Sequence, residues 1–313
     1  MLRYVAGRIV ATIPILVIVA VFIFSLIHIA PGDPAVLIAG DNATPAQVEK
    51  IRERLSLDEP LTTQFWLWVR DLVQFDLGQS IYSNLPVTRL IGQRLEPTFV
   101  LAGVTLLLTV LIAIPLGVVA AWKANSWIDR AVMGFAVIGF SVPVFAIGYL
   151  LVYVFAVTLD WFPVQGYKWI KDGLGPALVS VALPSFALAL VFSALIARVT
   201  RAAMLEALSE NYIRTARAKG LSTVRILVVH GLKNAGIPVI TVVGIGLAVL
   251  VGGVVVTESV FNIPGLGRLT VDAIVRRDYP IIQGVTLFFA LLLIGINLLI
   301  DMSYALFDPR VRG

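Results

Sequence analysis

The sequence has no cysteine, only two histidines, and charge on just 14% of its 313 residues against 59% hydrophobic. Without cysteine there is neither a disulfide framework nor a thiolate metal site. The histidines, His28 and His230, lie far apart in sequence, so no metal site is expected. A water-soluble globular chain carries charge on about a quarter of its residues, so this one is too apolar for water. Three motifs are also missing: a Gly-x-x-x-x-Gly-Lys-Ser/Thr loop for nucleotide phosphates, a Gly-x-Ser-x-Gly nucleophile turn, and a His-Glu-x-x-His zinc motif. No catalytic residue is expected, and the chain cannot use ATP by itself.

What is present is six charge-free runs, over 9–32, 97–122, 131–159, 173–197, 235–257 and 279–300. A helix of roughly 20 residues crosses the hydrocarbon of a bilayer, so each run is long enough to span. The expectation is an all-α integral membrane protein, with a single transmembrane domain over 1–313 holding a six-helix bundle. Its spans are expected at about 9–30, 98–121, 132–158, 176–198, 236–257 and 281–304, with a helical external loop over 33–96 and a cytoplasmic loop over 199–234. The first run exceeds the apolar core of a signal peptide and lacks a small-x-small cleavage site, so it reads as an uncleaved anchor.

No span carries Asp, Glu, Lys or Arg near its middle, and Glu258 and Asp301 sit only at span ends. That argues against an ion-coupled secondary transporter or a membrane-embedded enzyme, both of which need polar groups at depth. It implies a partner that supplies energy. A third alternative, a scaffold or receptor, would bind an ATPase and move no cargo.

The net charge of +5 reports orientation here rather than nucleic acid, because basic residues are retained on the cytoplasmic side. Arg3 and Arg8 precede the first span, Lys123 and Arg130 follow the second, and Arg310 and Arg312 follow the sixth. Between the fourth and fifth come Arg198, Arg201, Arg214, Arg217, Lys219, Arg225 and Lys233. Both termini are therefore expected in the cytoplasm. The loop over 33–96 falls outside, and its 6 basic and 9 acidic residues fit that side.

Within the external loop, Thr44-Pro45-Ala46-Gln47 reads as a capping box, with Val48, Ile51 and Leu55 following at helical spacing. A second helix is expected after Pro60, with Leu61, Phe65, Trp68, Leu72 and Phe75 on one side. Two readings stand for this loop: a lid on its own bundle, or a contact for an external partner. In the inner loop, Asn211 is expected to cap a two-turn helix through Lys219, with Gly220 ending it in a left-handed conformation. Another helix starts at Ser222 or Thr223 and leads through Leu227 and Val228 to the fifth span. Gly139, Gly148, Gly244, Gly246, Gly252 and Gly253 suit close helix packing, and Pro115, Pro143 and Pro184 predict kinks.

The stretch Tyr212-Ile-Arg-Thr-Ala-Arg-Ala-Lys-Gly-Leu221 resembles the cytoplasmic loop of binding-protein-dependent ABC importer permeases, in its peptide-importer form. Arg214, Thr215 and Ala216 occupy the Glu-Ala-Ala positions of the family pattern, and Gly220 holds its glycine. Arg214 departs from the acid common there, and Lys233 replaces a proline often found further on. The resemblance extends over the chain, through Pro31-Gly-Asp-Pro-Ala35, Phe75-Asp-Leu-Gly78, Glu258-Ser-Val-Phe-Asn-Ile-Pro-Gly-Leu-Gly-Arg-Leu269 and Arg277-Asp-Tyr-Pro280. It is to the first permease of dipeptide, oligopeptide, glutathione or nickel importers, closest to the glutathione and dipeptide group.

The resemblance implies a six-helix bundle of the type I ABC importer permease kind in a bacterial inner membrane. It also implies a homologous second permease, two ATPase subunits and an external solute-binding protein around it, with membrane lipid as its surroundings. ATP and Mg²⁺ would be used by the ATPases, and this chain would bind no cofactor of its own. The cargo would be dipeptides, oligopeptides or glutathione, moved by alternating access, with a nickel chelate as the alternative. Coupling to the ATPase would fall to Tyr212, Arg214, Thr215, Ala216, Arg217, Ala218, Lys219, Gly220 and Leu221; the plain alternative is a basic loop resting on anionic headgroups. Glu258, Phe261, Pro264, Gly265, Gly267 and Arg268 would form an outer gate or a landing surface for the binding protein, or else a simple Pro-Gly turn into the sixth span.

Overall fold

A computed structural model describes residues 2–29, 33–39, 43–54 and 56–307. Pro31, Gly32, Leu55, Arg310 and Arg312, all used above, lie outside them. In order, the helices are α1 (Leu2–Ile29), α2 (Pro34–Ala39), α3 (Pro45–Arg54), α4 (Leu61–Val73), α5 (Val87–Trp122), α6 (Trp127–Ser141) and α7 (Val144–Leu151). Then follow α8 (Leu174–Ser209), α9 (Asn211–Ala218), α10 (Thr223–Arg225), α11 (Gly236–Val260), α12 (Leu266–Arg276) and α13 (Tyr279–Phe307). Wider π turns continue α7 over Val152–Thr158 and α10 over Ile226–Leu232. Among the described residues the only β pairing is an isolated bridge between Gln79 and Pro86. A chain dissolved in hydrocarbon must satisfy its backbone internally, and the helix does so within one segment.

Five stretches are long and apolar enough to cross a membrane: Val10–Ile29, Val87–Trp122, Leu174–Ser209, Gly236–Val260 and Tyr279–Ser303. The stretch expected as a single third span is instead two helical pieces, Trp127–Ser141 and Val144–Thr158, bent by 102°. Pro143 is the cause. It lacks an N–H and pushes the residue before it out of the helical region. Val142 accordingly sits at φ −91° and ψ 126°, and α7 restarts with the N–H of Ala146 donating to the Pro143 carbonyl. Pro115 and Pro184, also expected to kink their spans, lie inside the unbroken α5 and α8.

The chain forms two compact units. The first comprises 97–264 and the described residues from 296 onward. Its centre is α8, which packs on α6, α7 and α11 and buries Val181, Leu188 and Phe192 with Leu101, Leu250, Val254 and Phe261. α8 does not stop where the spans were expected to give way to a loop at residue 199. It runs to Ser209, so its 36 residues extend about 54 Å, well beyond a hydrocarbon layer of about 30 Å. Arg201 lies on this continuation. Its Nε and Nη2 donate to Asp129 Oδ1 and Oδ2 at 2.5 and 2.6 Å, tying α8 to the first turn of α6. Nearby, α5 and α8 approach so closely that a Cβ added to Gly117 would stand 2.6 Å from Thr200 Cβ and 2.7 Å from the Ala197 carbonyl oxygen.

The second unit comprises 2–96 and 265–295. Val87, Ile91, Leu266, Leu269, Ala273, Ile281 and Val285 form its core. Asp278 is 2% exposed; it accepts from Ser80 Oγ at 2.6 Å and from the N–H of Ile81 at 3.3 Å. Gly78, at φ +77°, faces the Pro280 ring. Two short motifs distant in sequence, 75–78 and 277–280, thus meet at a single knot. Between α2 and α4, α3 has its capping box: the N–H of Thr44 donates to Gln47 Oε1 at 2.8 Å, and the N–H of Gln47 to Thr44 Oγ1 at 3.4 Å. Arg52 then pairs with Asp33 and Asp58. The aromatic side of α4 packs on α1, with Phe65 and Trp68 against Phe24 and Gln64 Oε1 3.0 Å from His28 Nε2.

Candidate functional site

The loop between α8 and α11 begins at Glu210, the extended residue that breaks α8 from α9. The N-cap is Glu210 rather than the expected Asn211, which is the first helical residue and accepts from Thr215 Oγ1 at 3.2 Å. At the other end Gly220 adopts φ +76°. The Gly220 N–H donates to the Arg217 carbonyl at 2.9 Å and the Leu221 N–H to the Ala216 carbonyl at 3.2 Å. That crossed pair is a Schellman motif, and Leu221 completes it by packing on the cluster of Ile213, Ala216 and Ile226. The glycine is required by the positive φ; a Cβ there meets nothing within 4 Å.

Periodicity sorts the candidate coupling residues onto two faces of α9. Ile213 and Ala216, three apart, turn inward. Ala216, expected to offer a small side chain for docking, is 7% exposed and so points into the protein. Tyr212, Arg214, Thr215, Arg217, Ala218, Lys219 and Gly220 are exposed, and Leu221 is half-buried. Burial pushes the Tyr212 phenol above its ordinary value, the Glu210 carboxylate adds to the push, and a hydrogen bond with the Asn234 side chain opposes it. The underside of α9 also meets Leu208 at the end of α8, and Ile226 opens the π turn leading to α11. The result is a short, basic helix held between the end of α8 and the π turn that leads to α11.

The outer candidates divide between the two units. In the first, Glu258 is fully buried near the end of α11 and accepts from Thr98 Oγ1 at 2.6 Å. Phe261 packs on Gly148, its carbonyl accepts from the Gly166 N–H at 2.9 Å, and Pro264 is half-buried. In the second, Gly265 is the extended N-cap of α12, Gly267 is buried in its first turn, and Arg268 stands 3.9 Å from Asp272. Of these residues Pro264 and Arg268 are half-buried and the other four are buried.

A family model described as "Binding-protein-dependent transport system inner membrane component" matches residues 113–313, and a model of that component's N-terminal part matches residues 1–102. The chain belongs to this family. Over 309 residues, 99% of both chains, this membrane component is 50% identical to a probable peptide ABC transporter permease protein of Sinorhizobium fredii. It is 46% identical over 305 residues, 97% of each, to a putative peptide transport system permease protein of Brucella abortus. It is 45% identical over 312 residues to a glutathione transport system permease protein of Escherichia coli, covering 100% of this chain and 99% of that one. Its fold is that of a type I importer permease: a chain of the MetNI methionine ABC transporter, solved in inward-facing conformations, aligns at a TM-score of 0.59 and 19% identity over 70% of this chain and 96% of that one.

Sequence reasoning missed one functional-looking feature, the Asp129–Arg201 pair. By sequence Arg201 reads as one more basic residue of the loop between the fourth and fifth spans, and nothing local marks Asp129 as its partner. The signal is in the sequence: between Lys123 and Arg198 the acids are Asp129, Asp160 and Asp172, and Asp129 alone lies in the turn with Lys123 and Arg130.

Proposed function

We propose that this membrane component is the translocation-pathway subunit of an ATP-driven importer of dipeptides, oligopeptides or glutathione, working by alternating access. A homologous second permease would complete the pathway, two ATPase subunits would use ATP and Mg²⁺, and an external solute-binding protein would deliver cargo. This chain would bind no cofactor of its own. Both termini would lie in the cytoplasm, which places α9 on the ATPase side.

The observation that carries the reading is the clamped helix. α9 exposes Tyr212, Arg214, Thr215, Arg217, Ala218 and Lys219 while its underside is bolted to α8 and to the π turn before α11. A partner that grips that face moves two long helices together, whereas a flexible loop would absorb the displacement. Cargo of the peptide or glutathione kind is supported by relatives 45–50% identical over nearly the whole chain. The nickel-chelate alternative draws no support from the relatives named above. Glu258, Phe261, Pro264, Gly265, Gly267 and Arg268 would act as an outer gate.

The test is uptake of labelled dipeptide and glutathione into liposomes holding the chain with its partner subunits, using an Arg214→Glu, Arg217→Glu double variant. Reversing two exposed cations leaves the buried underside intact, yet opposes any acidic groove on the ATPase. Uptake is expected to fall at least roughly tenfold, as a loss of about 1.4 kcal/mol in docking requires. Normal uptake by the variant, or cargo movement without an ATPase, overturns the reading.

A further inference from the structure

At Thr200 and Arg201, α8 is held by two neighbours at one level. α5 comes in at Gly117, where a glycine lets its backbone lie against the Ala197 carbonyl and the fully buried Thr200. α6 takes hold one residue further on, through the two hydrogen bonds from Arg201 Nε and Nη2 to the Asp129 carboxylate. That carboxylate also reaches back into the turn joining α5 to α6. Its Oδ2 accepts the N–H of Asn125 at 2.9 Å, Asn125 being left-handed at φ +65°, and Ser126 Oγ accepts the Asp129 N–H at 3.4 Å. One side chain thus joins the end of α5 and the start of α6 to α8. Beyond this level α8 runs on from 202 to Ser209, about 12 Å, and delivers the chain to α9.

Neither stability nor orientation accounts for the pair. Well-packed apolar side chains stabilise such a place as well as a buried ion pair does. The positive-inside signal is carried by Arg198, one turn earlier and exposed, whereas the Arg201 side chain keeps only 23% of its surface. What the pair supplies is direction. Apolar contact is non-directional and lets packed helices turn against one another; a guanidinium held at two points by one carboxylate does not.

We propose that Arg201 and Asp129 are positioning residues for transport: they make the Thr200–Arg201 level the fulcrum of α8, so that a displacement of α9 carries α5 and α6 with it. The inference rests on the proposed ATPase grip on α9 and goes beyond it by naming where that motion enters the spans.

The test uses the whole assembly in liposomes and reads labelled dipeptide uptake and phosphate release together, giving uptake per ATP hydrolysed. In the double variant Asp129→Ala with Arg201→Leu the helices stay packed and α9 is untouched. Its ATPase subunits should still co-purify and its thermal midpoint should stay near the wild type's, while uptake per ATP falls roughly tenfold, a coupling of ordinary size. Arg201→Lys keeps the charge without the rigid two-point fork, so its ratio should fall between the two. Wild-type uptake per ATP in the apolar double variant overturns the fulcrum. Loss of the ATPase subunits from that variant does so too, because the pair would then serve docking, and full rescue by Arg201→Lys would reduce the pair to its charge. Should the double variant fail to fold, the ratio in Arg201→Lys decides. A wild-type assembly without ATP-driven uptake is a separate failure, that of the proposed function itself, and it shows before any variant is made.

Discussion

Asp129 is 4% exposed and receives two charged hydrogen bonds from one guanidinium, the N–H of Asn125 at 2.9 Å completing its set. Removing one partner strands the other charge where water reaches it only in part. Asp129→Ala is therefore expected to destabilise the folded chain by about 3 kcal/mol, the lower end for a buried pair because Arg201 keeps some access to solvent. Replacing both, Asp129→Ala with Arg201→Leu, should recover most of that, since two apolar groups leave no orphan. Thermal unfolding in detergent of the two single variants and the double closes the cycle; additive losses would mean that the pair is not a unit. Why this pair escaped the sequence is plain in its geometry. The partners are 72 residues apart on α6 and α8, and no local pattern links them.

At the scale of elements, small residues set how near the helices come. Gly117 is the tightest case against backbone, facing Ala197 and Thr200 of α8. Gly103, on the same helix, has nothing within 4 Å of an added Cβ. Gly117→Ala should cost about 1–3 kcal/mol by forcing α5 and α8 apart, while Gly103→Ala should stabilise by about 0.5–1 kcal/mol through helix propensity alone. Chemical unfolding of the pair reads the difference in sign, and equal effects would dismiss the close approach. The same scale shows where sequence reasoning holds and where it slips. Gly220 was legible as a left-handed cap because only the C′ position after a capped helix calls for that residue. Ala216 was not legible as an inward residue, because a matched motif names positions without saying which face packs. Pro143 was legible as a kink but not as the 102° break it makes; that Pro115 and Pro184 leave their helices unbroken was not legible either, since neighbouring helices in a bundle can satisfy the freed carbonyls.

For the molecule as a whole, the six apolar runs could be read because hydrocarbon thickness fixes the length of a span, and that constraint is local. The overrun of α8 to Ser209 could not, because Arg198 and Arg201 look like the end of a span until Asp129 is seen to neutralise one of them. Orientation rests on where Lys and Arg fall, and the missing cysteines make it directly measurable: a single introduced thiol has no background. Lys123→Cys and Ser222→Cys occupy exposed sites in the two turns proposed to be cytoplasmic, Tyr82→Cys and Gln165→Cys exposed sites in the two proposed to be external. In intact cells a membrane-impermeant maleimide should label Tyr82→Cys and Gln165→Cys and leave Lys123→Cys and Ser222→Cys unlabelled until the membrane is opened. The reverse pattern would put α9 outside, where no ATP-using partner could grip it, and would remove the proposed coupling along with the orientation. A mixed pattern within either pair would mean that the bent segment of α6 and α7 re-enters the membrane from one side and does not cross it, leaving five crossings and the termini on opposite faces.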